Sequence, residues 1–327
     1  MAPRILIFGT GSIGAVYTYL LSRAIPASNI TAICRSNYEA VLKDGFTINS
    51  TSWGHGIKVK PAVAKSAADA VQSSPQEPFD YILVCTKALL TNPSTAELIS
   101  PAVSRGTSIV LIQNGIGIEE DYARMFPENP IISTVVYLPA TQVSPGVVEH
   151  KEVELLHVGT YPAEAPAPAK DAARAFVDLL GAAGATAELH DDIQEQRWSK
   201  LLVNTSWNPI CALARLRDRQ FLDVHEDAEA FIKDVMMEVA SVAQAYGYHG
   251  INEELVDFQI KRAVVRSLPG VQPSMLADTF SSKSLEVEAI VGNVVKLARE
   301  KGVKVPILRT IYMLASGLSK SFELSQT

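Results

Sequence analysis

Six residues near the start of the chain, Gly9-Thr10-Gly11-Ser12-Ile13-Gly14, constrain the fold more than any other segment. They stand between the apolar run Ile5-Leu6-Ile7-Phe8 and the helix-forming Ala15-Val16-Tyr17. In the spacing G-x-G-x-x-G the first glycine lets a strand turn tightly, and the second lets backbone amides approach a pyrophosphate. The third lets the following helix lie close to the strand. The N-terminus of that helix then presents free N–H groups and a partial positive charge to the phosphates. The segment therefore predicts a strand-loop-helix dinucleotide site. The hydroxyls of Thr10 and Ser12 either face the cofactor or merely cap the helix.

About twenty residues on, the second strand of such a unit ends beside the adenosine ribose. That strand is Asn29-Ile30-Thr31-Ala32-Ile33-Cys34, and the residue after it is Arg35. A carboxylate there would accept from a ribose 2'-hydroxyl and repel a 2'-phosphate. A guanidinium instead offers a planar fork of donors that suits phosphate. Arg35 therefore points to NADP(H) over NAD(H), the alternative being an ordinary surface arginine.

The first half alternates strand and helix signals, as a doubly wound parallel sheet requires. Strands are predicted at 4–9, 29–34, 80–86 and 108–113, with helices near 13–24, 37–42, 66–73 and 92–104. Gly45-Phe46-Thr47-Ile48 and Ile57-Lys58-Val59-Lys60, joined through Gly54-His55-Gly56, read as a hairpin inserted before the sheet resumes. Further strands are expected at 131–138, 146–150 and 154–160, then a surface Pro-Ala connector at 162–169, a helix at 170–182 and a strand at 185–189. From Asp191 the pattern changes to long 3.6-period segments at 193–215, 226–246, 252–265, 284–301 and 306–318. The expected fold class is α/β plus all-α: a Rossmann-type domain over residues 1–190, then an all-helical domain over 191–327.

A chain of 327 residues can bury two cores. Its net charge of −6, with basic residues scattered, argues against nucleic acid as a partner. No apolar run is long enough to span a membrane, and residues 5–8 are too short for a signal segment, so no membrane partner is expected. Cys34, Cys85 and Cys211 are isolated in sequence and read as buried free thiols, which fits a reducing, cytoplasmic compartment. None of the histidines forms a pair with metal-ligand spacing, so no metal site is expected. The apolar helices of the second domain leave room for a homodimer.

A nicotinamide enzyme needs a group that supplies a proton to oxygen as hydride reaches carbon. The helix from 193 carries the strongest candidate. Most of its circumference is apolar, but Lys200, Asn204 and Asn208 interrupt that pattern at i, i+4 and i+8. At about 100° per residue they drift only roughly 80° around the axis and form one polar stripe. A solvated face normally carries several long charged side chains, and asparagine is a poor helix former unless its amide has something to bond. The stripe is therefore read as facing a cleft, with Pro209 expected to kink the helix beside it. A partly dry lysine loses some preference for its charged form, which makes Lys200 a competent acid near neutral pH.

Two more candidates close predicted strands, where open α/β sheets bind ligands: Lys87 after Tyr81–Thr86, and Asn114 after Ile109–Gln113. Turn chemistry accounts for either residue equally well from spacing alone. In Pro273-Ser274-Met275-Leu276-Ala277-Asp278, Ser274 reads first as a helix cap, and the later Glu286 as a solvated carboxylate.

Taken together, these segments resemble the ketopantoate reductase family. The resemblance rests on the glycine loop with Arg35, V-C-T-K ending at Lys87, and Q-N-G at Asn114. It rests also on K-L-L-V-N-x-x-x-N-P from Lys200 to Pro209, and on P-S-M-L-x-D with Glu286 twelve residues after Ser274. It spans the chain in order, and it implies hydride transfer from NADPH to the keto carbon of 2-dehydropantoate, giving pantoate on the route to pantothenate. It further implies Lys200 as general acid, with Asn114 and Asn204 orienting substrate and lysine. Asn208 and Ser274 would bind substrate, Glu286 would contact substrate hydroxyl and cofactor, and Lys87 and Arg35 would face NADPH. The family often has a glutamine three residues after its Lys87 counterpart; this chain has Leu90, which puts one cofactor contact in doubt. The connector at 162–169 and the segment 70–78 also look longer than in short relatives. Other 2-keto acids remain open as substrates for a D-2-hydroxyacid dehydrogenase of this fold. A non-catalytic NADP(H)-binding regulator would be expected to lack the proton donor or its orienting amide, and Lys200, Asn204 and Glu286 are all present.

Overall fold

Four-residue runs such as Ile5–Phe8 and Ile30–Ile33 are apolar throughout and buried at every position, the pattern of strands covered on both faces. The computed structural model describes residues 2–73 and 77–325, so of the segment 70–78 residues 74–76 lie outside the described residues. The chain divides into two compact units. The first comprises Met1–Lys87, Thr91–Gln113 and Glu119–Ile193; the second comprises Ala88–Leu90, Asn114–Ile118 and Gln194–Thr327. Two short strand-end segments thus pack with the helices rather than with the strands that precede them.

The strands of the first unit are β1 (Ile5–Phe8), β2 (Ile30–Ile33), β3 (Phe46–Ser50), β4 (Gly54–Val59), β5 (Ala62–Ala64), β6 (Tyr81–Val84), β7 (Ser108–Leu111), β8 (Ile131–Tyr137), β9 (Ala140–Ser144), β10 (Val147–His150), β11 (Leu155–Tyr161) and β12 (Ala187–Leu189). Its helices are α1 (Ser12–Ser22), α2 (Tyr38–Asp44), α3 (Ala67–Gln72), α4 (Thr95–Ile99), α5 (Glu120–Met125) and α6 (Ala167–Ala182). The main sheet runs β12-β11-β8-β7-β6-β1-β2-β5. From β5 to β8 neighbouring strands are parallel, and the chain order reverses at β1, which makes the ends of β1 and β6 the switch point.

Several features depart from the sequence reading. The sheet is mixed, because β11 pairs antiparallel to β8. The hairpin is no isolated insertion either: β3 and β4 join β9 and β10 in a second sheet, ordered β4-β3-β10-β9. Its turn falls at 51–53, so Gly54 and Gly56 belong to β4. Helix α1 packs against strands of both sheets, and Gly14–Thr18, Leu20 and Leu21 are buried. The Pro-Ala connector is shorter than expected, since α6 begins at Ala167, and Ala165 is buried rather than at the surface.

The second unit is helical: α7 (Ile193–Ala214), α8 (Asp218–Leu222), α9 (Ala228–Ala245), α10 (Glu253–Val264), α11 (Ser274–Phe280), α12 (Asn293–Glu300) and α13 (Pro306–Leu324). Its core gathers Trp198, Leu201, Leu202, Trp207 and Cys211 of α7 with Val235, Met236 and Val239 of α9. The helix expected over 284–301 instead contains a π turn at Glu288–Gly292 leading into α12. Among the described residues no helix is long and apolar enough to cross a membrane.

Candidate active site

In the first unit the glycine loop joins β1 to α1. Gly9 has φ +96°, and a Cβ there would stand 2.6 Å from the Thr86 backbone nitrogen. A Cβ on Gly14 would stand 2.2 Å from the Gly9 carbonyl oxygen, so α1 can approach β1 this closely only without one. Gly11 differs, with nothing within 4 Å of the position a Cβ would take. Among the described residues no side chain caps the N-terminus of α1 by a hydrogen bond. The loop therefore fits a dinucleotide pyrophosphate.

Thr10 neither caps the helix nor faces outward. Its buried hydroxyl donates to the Ile33 carbonyl oxygen at 2.8 Å, tying the loop to the end of β2. Asn37 fastens the same loop, with Nδ2 donating to the Thr10 carbonyl oxygen at 2.7 Å. Ser12 and Ile13 open α1 and are half-buried. Arg35 is exposed just beyond β2, its guanidinium 6.0 Å from the centre of the Phe8 ring. A second exposed cation, Lys65, follows the neighbouring parallel strand β5 and stands 4.6 Å from the Tyr38 ring centre. Sequence reasoning passed over Lys65 because β5 is three residues long and carries no strong strand signal. Lys87 is half-buried beyond the end of β6. Cys85, expected to be buried, is partly exposed, while Cys34 and Cys211 are buried.

The second unit brings together Lys200, Asn114 and Glu286. Lys200 lies on α7, two residues after Trp198 and one before Leu201, both buried in the core. Its Nζ donates to Asn114 Oδ1 at 2.8 Å. Burial drives the ammonium pKa down to about 7, helped by the Arg197 guanidinium and opposed by the Glu286 carboxylate. Glu286 is itself buried, and its Oε1 accepts from the Ala88 backbone N–H at 2.9 Å. It is therefore not the solvated carboxylate that spacing alone suggested.

Four contacts fix the segment carrying Asn114. Arg197 Nη1 donates to the Gly115 carbonyl oxygen at 2.8 Å, and the Ile116 N–H to the Ala289 carbonyl oxygen at 3.0 Å. Asn293 Nδ2 donates to the Ile116 carbonyl oxygen at 2.6 Å, and the fourth contact is that of Lys200 with Asn114. Gly115 has φ +105°, and a Cβ there would lie 2.4 Å from the Ala289 oxygen, so only glycine allows this approach. Widening the helix into a π turn leaves carbonyl groups open to partners outside it. That of Ala289 takes Ile116, and that of Ile290 accepts from the Thr205 hydroxyl at 3.0 Å. Sequence reasoning missed Arg197 and Asn293, since neither stands in a motif.

The other two asparagines differ from each other. Asn204, one turn after Lys200, is half-buried, and its amide makes no hydrogen bond among the described residues. Asn208 is buried, and its Oδ1 accepts from Ser274 Oγ at 3.2 Å and from the Met275 N–H at 3.1 Å. It thus caps the first turn of α11 from a neighbouring helix, which leaves only Nδ2 for a ligand. Ser274 is exposed within that turn, and the N-cap position is Pro273 rather than Ser274. Helix α7 runs on through Pro209 to Ala214.

Family models described as ketopantoate reductase PanE/ApbA and its C-terminal counterpart match residues 5–163 and 192–319. The chain belongs to the ketopantoate reductase family. A 2-dehydropantoate 2-reductase of Nostoc is 28% identical, over 94% of this chain and 92% of the relative. An uncharacterized protein of Saccharomyces cerevisiae is also 28% identical, over 95% of this chain and 92% of its own length. Among solved structures, 2-dehydropantoate 2-reductase from Methylococcus capsulatus superposes with a TM-score of 0.83 at 31% identity, covering 98% of this chain and 97% of that one. The protein is accordingly an oxidoreductase of that family, with a Rossmann-like unit and a helical C-terminal unit.

Proposed function

We propose that this chain reduces 2-dehydropantoate to pantoate with NADPH, and that Lys200 is the proton donor. The observation that carries the reading is the tuned amine: a lysine on a core helix, held by Asn114, with its pKa lowered to about 7. Reduction of a ketone needs a proton on oxygen as carbon gains hydride, and a group titrating near the working pH gives that proton most effectively. When bound, the reduced nicotinamide supplies the hydride.

The chain's residues divide the remaining tasks. Backbone amides from Gly9 to Gly14 hold the pyrophosphate at the start of α1, and Arg35 with Lys65 holds a 2'-phosphate, favouring NADPH over NADH. Lys87 faces the same cofactor. Asn114 keeps Nζ of Lys200 directed at the keto oxygen. The amide of Asn204, with no bond of its own among the described residues, orients the substrate. Asn208 through Nδ2 and Ser274 through its hydroxyl bind the substrate's polar groups, and Glu286 contacts a substrate hydroxyl and the cofactor. Consumption of NADPH with a panel of 2-keto acids tests the reading. Highest kcat/KM on 2-dehydropantoate is expected; preference for an aromatic 2-keto acid would reassign the chain to another hydroxyacid dehydrogenase. No turnover on any member would indicate a cofactor-binding regulator.

A further inference from the structure

Strand pairing in the first unit assembles three potential metal ligands that the reductase reading leaves unused. His157 on β11 is the register partner of Glu188 on β12, so the two side chains stand next to each other on one face of the sheet. His190 follows β12, and its backbone N–H donates to the Val158 carbonyl oxygen at 2.8 Å. Gly159 lets this stretch lie close to β11, since a Cβ there would meet the Ile193 Cβ at 2.8 Å and the His190 oxygen at 3.1 Å. The Tyr137 ring packs edge-on against His157, with centroids 5.8 Å apart.

The resulting geometry is that of a coordination face. His157 Nδ1 lies 2.8 Å from His190 Nε2 and 3.2 Å from Glu188 Oε2, and the latter two atoms are 3.9 Å apart. Ligand atoms bound at about 2.0–2.1 Å to a tetrahedral ion stand roughly 3.3 Å from one another, and the three observed separations bracket that edge. Two imidazoles with one carboxylate suit zinc-type ions rather than the oxygen-seeking magnesium or calcium. The Glu188 side chain is 54% exposed, while those of His157 and His190 are 12% and 23% exposed. Solvent can therefore reach the cluster on the carboxylate side, giving an ion both an entry path and a water for its fourth position.

We infer that His157, Glu188 and His190 bind one late first-row divalent cation, of which Zn(II) is the natural probe. His157 and His190 are 33 residues apart in sequence, so no spacing motif announces the site. Without an ion, His157 and His190 hydrogen-bond each other through these nitrogens, with the Glu188 carboxylate beside them. Binding would replace those bonds with metal-ligand bonds and would stabilise the edge of the main sheet.

The test uses the untagged full-length chain, stripped with chelator and titrated with Zn(II) by calorimetry, with Co(II) as a spectroscopic substitute. One equivalent of Zn(II) should bind and raise Tm, and Co(II) should give the intense visible bands of four-coordinate geometry. His190→Asn and Glu188→Gln should each weaken Zn(II) binding by at least about tenfold while far-UV circular dichroism stays unchanged. Equal Zn(II) affinity in the variants, or a weak six-coordinate Co(II) spectrum, overturns the inference. Because the readouts are binding, Tm and spectrum, the outcome is independent of whether the chain reduces 2-dehydropantoate.

Discussion

Replacing Lys200 with methionine should remove catalysis and, at the same time, stabilise the fold. The folded pKa of about 7 lies below the ordinary lysine value of 10.5. Between these values the unfolded chain holds a proton that the folded chain has lost, so stability rises with pH through that window. Integrating the two titrations from pH 6 to pH 9 gives a gain of about 2.7 kcal/mol from this one group, an upper bound that residual solvent access reduces. Methionine keeps the unbranched shape of the side chain, one atom shorter, and carries no titratable proton. Urea unfolding of both proteins at the two pH values should show the variant more stable at pH 6 and the gap narrowing by roughly 2 kcal/mol at pH 9. In the wild type, kcat/KM should fall as pH rises through about 7 and the acid is lost. In the variant the chemical step should slow by about 10²–10⁴-fold while NADPH still binds. Parallel stability curves would refute the claim that burial depresses this amine, and a fully active variant would refute its role as acid.

Two further substitutions probe separate parts of the proposal. Arg35→Ala should raise KM for NADPH by about tenfold and leave that for NADH nearly unchanged, because one charge-assisted contact to the 2'-phosphate is lost; equal cofactor use by the wild type would contradict this. Gly115→Ala, whose Cβ would lie 2.4 Å from the Ala289 oxygen at a φ of +105°, should destabilise the protein by at least about 2 kcal/mol. It should also lower kcat by displacing Asn114, which thermal unfolding and steady-state rates can check together.

The sequence by itself determined a great deal of this. Local chemistry set the strand-glycine-helix start, Arg35 after the second strand, the polar stripe on the helix from 193, and the change to a helical second half. These signals are contiguous or helically periodic, and short-range physics writes them into the chain. Distant pairing is not written there. The antiparallel placement of β11, the second sheet built from β3, β4, β9 and β10, and the juxtaposition of His157 with Glu188 depend on register between strands far apart in sequence. So does the environment of each polar residue. Spacing placed Asn204 and Asn208 on one stripe, yet tertiary packing gave Asn208 a cap to satisfy, while among the described residues the Asn204 amide takes no hydrogen bond. A lysine and a carboxylate could be named from the chain. The depth of burial, together with the Arg197 guanidinium nearby, lowers the Lys200 amine against the opposing pull of Glu286, and that balance is set by tertiary packing because the cost of burying charge depends on what surrounds it.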